Sequence, residues 1–424
     1  MNAEGVFFVM YGKLYSACLY GIDGVLIEVE TDLSSGLPMV SIIGLPDTAV
    51  REAVERVRSA VKNCGYTFPL QRITINLAPA DLRKEGSAFD LAIALGLLQA
   101  SGQIQLPAPG KLMMIGELSL DGGLRPVTGV LPMVDLARRK GFDSVLLPAE
   151  NAAEALLLEG MKVYGIQHMR ELAFLNEGAQ ASSADPAHPS VSSVLEAMDP
   201  WDKLEYTRES LAHAAQGREP SQAATAENFS DVIGQRQVKR ALVIAAAGMH
   251  NLILIGPPGT GKTMLIRRLP GILPDLSEEE ALEVTKIYSA AGKFKEVSHG
   301  LLRRRAFRAP HHTISAGGLI GGGGIPKPGE VSLAHKGVLF LDELPEFSRN
   351  VLEVLRQPLE ERTVTISRSR AAFTYPAHFF ARFFDESVPL RLLRQRAPAP
   401  SLYLYAMADP AVSVANFGSA AGSD

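Results

Sequence analysis

The run Gly256-Pro257-Pro258-Gly259-Thr260-Gly261-Lys262-Thr263 carries the most specific chemical signal in the chain. It fills every fixed position of G-x-x-x-x-G-K-[ST], the loop whose backbone N–H groups cradle nucleotide phosphates. Glycines keep those amides free and leave no Cβ in the way, and a following helix start adds a positive end. A second candidate is Asp342-Glu343, two carboxylates that close the apolar run Val338-Leu339-Phe340-Leu341. Lys262 is expected to contact the β- and γ-phosphates, and Thr263 and Asp342 to hold Mg²⁺. Glu343 is expected to orient or deprotonate the attacking water. The expected ligands are therefore ATP and Mg²⁺, with Lys262 and Glu343 as catalytic residues. Standing alone, the glycine run reads as a turn and Asp-Glu as a solvated strand end. Together they favour a nucleotide site.

The elements needed to position these groups are legible nearby. Residues 251–255 form a short apolar run of the kind found in buried parallel strands, and 264–269 continue as a helix. The apolar run before Asp342 delivers acids at the C-terminal edge of a sheet, where α/β folds bind ligands. Further upstream, 17–29, 39–43, 73–77, 111–118, 144–147 and 162–164 read as strands. Residues 47–64 read as an amphipathic helix and 89–100 as an apolar one. Residues 176–228 are rich in Ala, Ser, Pro, Gln and charge, without strand signals. They are expected to be a linker with at most short helices at 194–198 and 203–215. The expected division is 1–175, linker 176–228, nucleotide module 229–380, and a tail from 381.

Whole-chain properties narrow the classes. A length of 424 residues is enough for two or more domains. Hydrophobic residues make up 46%, yet no uninterrupted apolar run approaches membrane-spanning length. The N-terminus lacks a basic region followed by a full apolar core, so no signal peptide is expected. Cys18 and Cys64 are too few for a disulfide framework or a zinc site, which fits a reducing cytoplasm. A net charge of −4 argues against wholesale attraction to nucleic acid, leaving local basic patches or a ring-shaped assembly.

Between Lys262 and Asp342 the chain is longer than a minimal strand–helix–strand path needs. The surplus includes Arg303-Arg304-Arg305, Arg308, His311-His312 and a glycine-rich run over 315–324. The run reads as outside the core. It is either a pore or DNA-contacting loop with arginines on phosphates, or a surface insertion beside a solvated basic face. The two histidines lack a third ligand at metal-binding spacing.

Phe229-Ser230-Asp231-Val232-Ile233-Gly234-Gln235 resembles the adenine-side box of AAA+ ATPases. Two segments resemble the magnesium-chelatase-like branch: Phe307-Arg308-Ala309-Pro310-His311-His312-Thr313-Ile314-Ser315, and Gly329-Glu330-Val331-Ser332-Leu333-Ala334-His335. With Gly44-Leu45-Pro46-Asp47 and Asn76-Leu77-Ala78-Pro79-Ala80-Asp81, residues 1–378 resemble the YifB/ComM family. The resemblance implies an α/β protein. A ribosomal S5 domain 2-like (Lon protease-like) α+β domain would precede a P-loop AAA+ domain with a parallel sheet. It further implies a cytoplasmic homo-hexamer acting on single-stranded or branched DNA in recombination or natural transformation, with no membrane partner. An alternative is a chelatase-type ATPase subunit that remodels a protein partner. Another is a nucleotide-binding remnant without turnover. The Lon-like half lacks its catalytic pair: the serine slot falls on Ala88, beside Ser87, and the lysine slot on Leu131. A serine without a base is a weak nucleophile, so no peptidase is expected.

The resemblance stops after Ala377. The family continues into Met-Asn-Pro-Cys-Pro-Cys-Gly, whose asparagine positions the hydrolytic water. Residues 385–394 here differ, but their codons, shifted by one base, permit Met-Asn-Pro-Cys-Pro-Cys-Gly-Tyr-Phe-Gly. The same shift over 416–424, with Arg taken from the Ala415 codon, permits Arg-Ile-Ser-Gly-Pro-Leu-Leu-Asp-Arg-Ile. A frameshift near 379–384 is therefore expected. The tail would be out-of-frame translation, the sensor asparagine and downstream arginines would be missing, and turnover would be weak or absent.

Overall fold

The computed structural model describes residues 11–106, 111–176, 199–210, 228–255, 261–296, 300–324, 326–368, 371–385, 403–407 and 413–415. The chain divides into two compact units, Met1–Gly217 and Arg218–Asp424. Both are mixed α/β.

In the first unit, strand sequences that alternate buried and exposed positions build an eight-stranded sheet. Its order is Glu205–Tyr206, Lys162–Ile166, Ser144–Pro148, Leu112–Met114, Tyr11–Tyr20, Asp23–Ser34, Arg72–Ala78, Met39–Ile43. The helix Thr48–Asn63 buries Val50, Ala53, Val57, Ala60 and Val61, the spacing of a single apolar stripe. Asp47 caps it by accepting the Val50 N–H at 2.8 Å. The same carboxylate accepts the Gly86 N–H at 3.3 Å, so Gly44-Leu45-Pro46-Asp47 acts as a structural clasp. The helix Asp90–Ala100 is buried at every position but Gln99, as an all-round apolar sequence requires.

Three expectations change here. The stretch 17–29 is not one strand but part of a hairpin, in which Tyr20 pairs with Asp23 across Gly21-Ile22. Gly21 takes the left-handed φ of +66° that this two-residue turn needs. The stretch 111–118 splits into Leu112–Met114 and Glu117–Leu118. Within the expected linker, residues 199–210 add a 3₁₀ turn at Pro200–Lys203 and the strand Glu205–Tyr206, antiparallel to Lys162–Ile166. Trp201 anchors this segment, 6% exposed, with its ring against Tyr164 and Phe174. The 194–198 helix, and 203–215 beyond residue 210, fall outside the described residues. The helix Val130–Arg139 went unforeseen.

The second unit carries a six-stranded sheet in the order Phe307–Arg308, Val338–Leu341, Phe380–Asp385, Asn251–Ile255, Tyr403–Met407, Ser413–Ala415. The first four strands are parallel. Tyr403–Met407 is antiparallel to both of its neighbours, so the expected parallel pairing holds only among the first four strands. Val338–Leu341 is buried at every residue, the reason it reads as an unbroken apolar run. The tail contributes Phe380–Asp385, Tyr403–Met407 and Ser413–Ala415; residues 386–402, 408–412 and 416–424 fall outside the described residues.

The glycine-rich run also differs from expectation, because part of it belongs to the core. Ser315 caps the short helix Ala316–Ile320, whose Leu319 is fully buried. Gly321-Gly322 then pairs antiparallel with Lys327-Pro328. At Gly321 φ is +109°, and a Cβ would stand 2.3 Å from the Lys327 carbonyl oxygen, so only glycine fits.

Candidate functional site

Of the expected phosphate loop, Gly256, Pro257, Pro258, Gly259 and Thr260 fall outside the described residues. The loop's flanks are described. Asn251–Ile255 leads in, and Gly261, at φ +82°, opens the helix Lys262–Arg267. Buried Leu265 and Ile266 fix that helix against the sheet. Lys262 is 5% exposed, a low-dielectric setting in which an ammonium interacts strongly with an anion. Thr263 is half-buried.

Asp342 and Glu343 follow Val338–Leu341 directly. That strand and Asn251–Ile255 are both parallel to Phe380–Asp385, which lies between them. The topology thus brings the Lys262 helix start and the two carboxylates to the same, C-terminal edge of one sheet. Asp342 Oδ1 accepts the Glu343 N–H at 3.1 Å. Glu343 adopts a left-handed backbone, φ 53° and ψ 52°, uncommon for a side chain of its size. Its carbonyl accepts the Glu346 N–H at 2.8 Å, closing a turn, and its carboxylate meets His312 Nδ1 at 3.2 Å. Thr263 and Asp342 offer hard oxygen donors, which suit Mg²⁺ better than a soft metal.

The basic residues expected near this edge are mostly engaged within the unit. Arg308 makes a two-pronged contact with Glu330 at 2.6 and 2.7 Å, and Lys293 adds a third charge at 3.5 Å. Burial opposes ionisation of Glu330, yet hydrogen bonding and charge from Arg308 and Lys293 hold its carboxyl below the ordinary value. Arg305 pairs with Glu280 at 3.5 Å and donates to the carbonyls of Pro274 and Lys336. Arg303 meets Glu278 at 3.2 Å, whereas Arg304 is exposed. A cavity of about 480 Å³ lies beside the Arg308–Glu330 pair, lined also by Phe307, His311 and Thr313.

In the first unit, the positions matching the Lon catalytic pair are closed. Ala88 and Leu131 are buried at 5% and 0% exposure. Ser87 Oγ donates to the Glu117 carboxylate. Lys84 is buried, its ammonium donating to the carbonyls of Pro79 and Leu82, and burial pushes its pKa down.

A parallel sheet with a lysine-bearing helix start and a paired-carboxylate strand end at one edge is of the AAA+ type, and the comparisons agree. Residues 228–382 match the family described as "Magnesium chelatase, subunit ChlI", and residues 29–151 match "Subunit ChlI of Mg-chelatase". YifB of Escherichia coli (strain K12) is 44% identical over 366 residues, 86% of this chain and 66% of that protein. Competence protein ComM of Haemophilus influenzae is 42% identical over 366 residues, with the same shares. Lon protease 2 of Bacillus subtilis is 31% identical over 179 residues, 38% of this chain and 32% of that protein. The chain belongs to the YifB/ComM family of magnesium-chelatase-like proteins. It spans about two thirds of the length of YifB and ComM.

Proposed function

We propose that this chain binds ATP·Mg²⁺ as an AAA+ ATPase and that the assembled protein, a homo-hexamer, acts on single-stranded or branched DNA. The observation that carries the nucleotide reading is the convergence of Lys262 with Asp342 and Glu343 at one sheet edge. Lys262 holds the β- and γ-phosphates, while Thr263 and Asp342 hold the metal, which supplies charge neutralisation at the phosphate oxygens. Glu343 orients the water and receives its proton. The loop Gly256, Pro257, Pro258, Gly259, Thr260 and Gly261 surrounds the phosphates with amides. The DNA role rests on kinship with a protein named for competence. The first unit serves this assembly as an S5 domain 2-like module without peptidase chemistry. We further propose that the frame shifts near 379–384, which removes the sensor asparagine and leaves turnover weak.

Lys262→Ala tests the nucleotide site. Losing a buried charge-assisted contact costs about 1.5–3 kcal/mol, so ATP affinity should fall roughly 10- to 150-fold in calorimetry. Equal affinity in both proteins would refute the assignment.

A further inference from the structure

The strand Met39–Ile43 closes one edge of the eight-stranded sheet, and among the described residues no strand pairs with its outer side. Edge strands usually carry a guard against other chains, such as a charged side chain, a bulge or a covering loop. The sheet's other edge, Glu205–Tyr206, is only two residues long and carries Glu205, which meets Lys162 at 3.8 Å. Met39–Ile43 has no such charge, because residues 33–46 contain no charged side chain at all. Val40 and Ile42 pack on the core, which turns Met39, Ser41 and Ile43 to the opposite face. Met39 and Ile43 are 49% and 48% exposed there. Leu37 and Leu70 stand two residues ahead of the paired positions Met39 and Arg72, so both lie at one end of this edge. They are 87% and 80% exposed. Large apolar side chains exposed side by side mark an interaction surface.

From this geometry we infer that Met39–Ile43 pairs antiparallel with the same strand of a second copy of the chain, about a two-fold axis at Ser41. That register sets Met39 opposite Ile43 twice and the small Ser41 opposite itself. The apolar ends meet apolar ends, and no charge is opposed or buried. The edge is thus its own complement, whereas a charged partner would find no opposite charge on it. Both ends of the strand are fixed in advance. Pro38, with no N–H to donate, sets where pairing begins. Beyond Ile43, the Lys84 N–H donates to the Leu45 carbonyl at 3.2 Å and the Asp47 N–H to the Lys84 carbonyl at 3.0 Å. A five-residue strand spans about 17 Å, short for a standard interface of about 800 Å² per partner, so the pairing is weak and concentration-dependent. An isologous contact cannot close a ring; it joins two copies or, in a ring-forming protein, two rings. It does not depend on the nucleotide reading.

The test uses the full chain without nucleotide. Sedimentation velocity from roughly 1 to 100 μM should show reversible association of two copies. Ser41→Lys sets like charges across the axis and should raise the dissociation constant about tenfold. Cross-linking then reads the register, in a Cys64→Ser background with Cys18 buried. Directly opposed antiparallel residues have the Cα spacing a disulfide needs, so Ser41→Cys should link to itself under mild oxidation. Met39→Cys and Ile43→Cys should each stay unlinked alone and link when mixed. A chain that remains monomeric, or association unchanged by Ser41→Lys, would overturn the inference. So would Ser41→Cys that fails to link, or Met39→Cys that links to itself as readily as to Ile43→Cys. The cysteine variants place only small side chains on the edge, and they decide the matter should Ser41→Lys fail to fold.

Discussion

Arg56 meets both oxygens of Asp90 at 2.7 and 3.1 Å, and the Leu118 N–H approaches the same carboxylate at 3.2 Å. Burial outweighs this support and pushes the Asp90 carboxyl up to about 6. A carboxyl raised in the fold binds its proton more tightly there than in the unfolded chain. Its contribution to stability is therefore present below the ordinary carboxylate pKa and is lost as pH rises through about 6. Denaturant titrations of the first unit should show that loss between pH 4 and 6.5, approximately the window set by these two values, and Asp90→Asn should flatten it. Ser87 carries a second residue-scale prediction. Its hydroxyl faces Glu117, while the positions matching the Lon serine and lysine hold buried Ala88 and Leu131. Casein should stay intact with ATP present, and degradation abolished by Ser87→Ala would show a peptidase after all.

The hairpin Gly321-Gly322 with Lys327-Pro328 sets the test at the scale of elements. Gly321→Ala must place a Cβ against the Lys327 carbonyl in a left-handed backbone, for which strain alone costs about 1–3 kcal/mol. Melting of the second unit should drop by several degrees, while Gly324→Ala, with open space around it, should not move it comparably. Elements were legible where one residue pattern served one environment. Asn251–Ile255 and Val338–Leu341 read as apolar runs because buried parallel strands meet no water. Thr48–Asn63 was legible from its apolar stripe, whereas Asp47, read as part of the helix, instead caps it. The turn at Gly21-Ile22 was hidden because alternation continues on both sides of a two-residue loop. Long-range pairing left no local trace: Arg308 finds Glu330 22 residues away and Arg305 finds Glu280, so these two arginines of the basic stretch are internal ties. The same holds for His312 and Glu343, whose contact depends on how two strand ends are brought side by side.

At the scale of the molecule, the central position of Phe380–Asp385 gives the proposed frameshift its consequence. This strand lies between Val338–Leu341 and Asn251–Ile255, with Arg382 in register with Leu252 and Phe340, and Asp385 with Ile255. Charged residue types at such positions are costly in a sheet interior. A frame-corrected gene would replace the chain from the shift near 379–384 onward, Arg382 included where the shift precedes it, with the family's own continuation, including its downstream arginines. Arginine at a phosphoryl-transfer site is worth roughly 10³–10⁵ in rate. The corrected protein should therefore exceed the present chain in ATP turnover by orders of magnitude at similar ATP affinity. Equal turnover would mean that the tail is native.

The chain's single tryptophan is Trp201, held between Tyr164 and Phe174 by a segment that pairs with the edge of the sheet at Glu205 and Tyr206. Intrinsic fluorescence is consequently a local optical probe. A red shift in emission would signal that 199–210 has peeled from its seat, even while far-ultraviolet circular dichroism stays constant. Denaturation curves followed by the two signals need not coincide, and their separation would measure how weakly this strap is fastened.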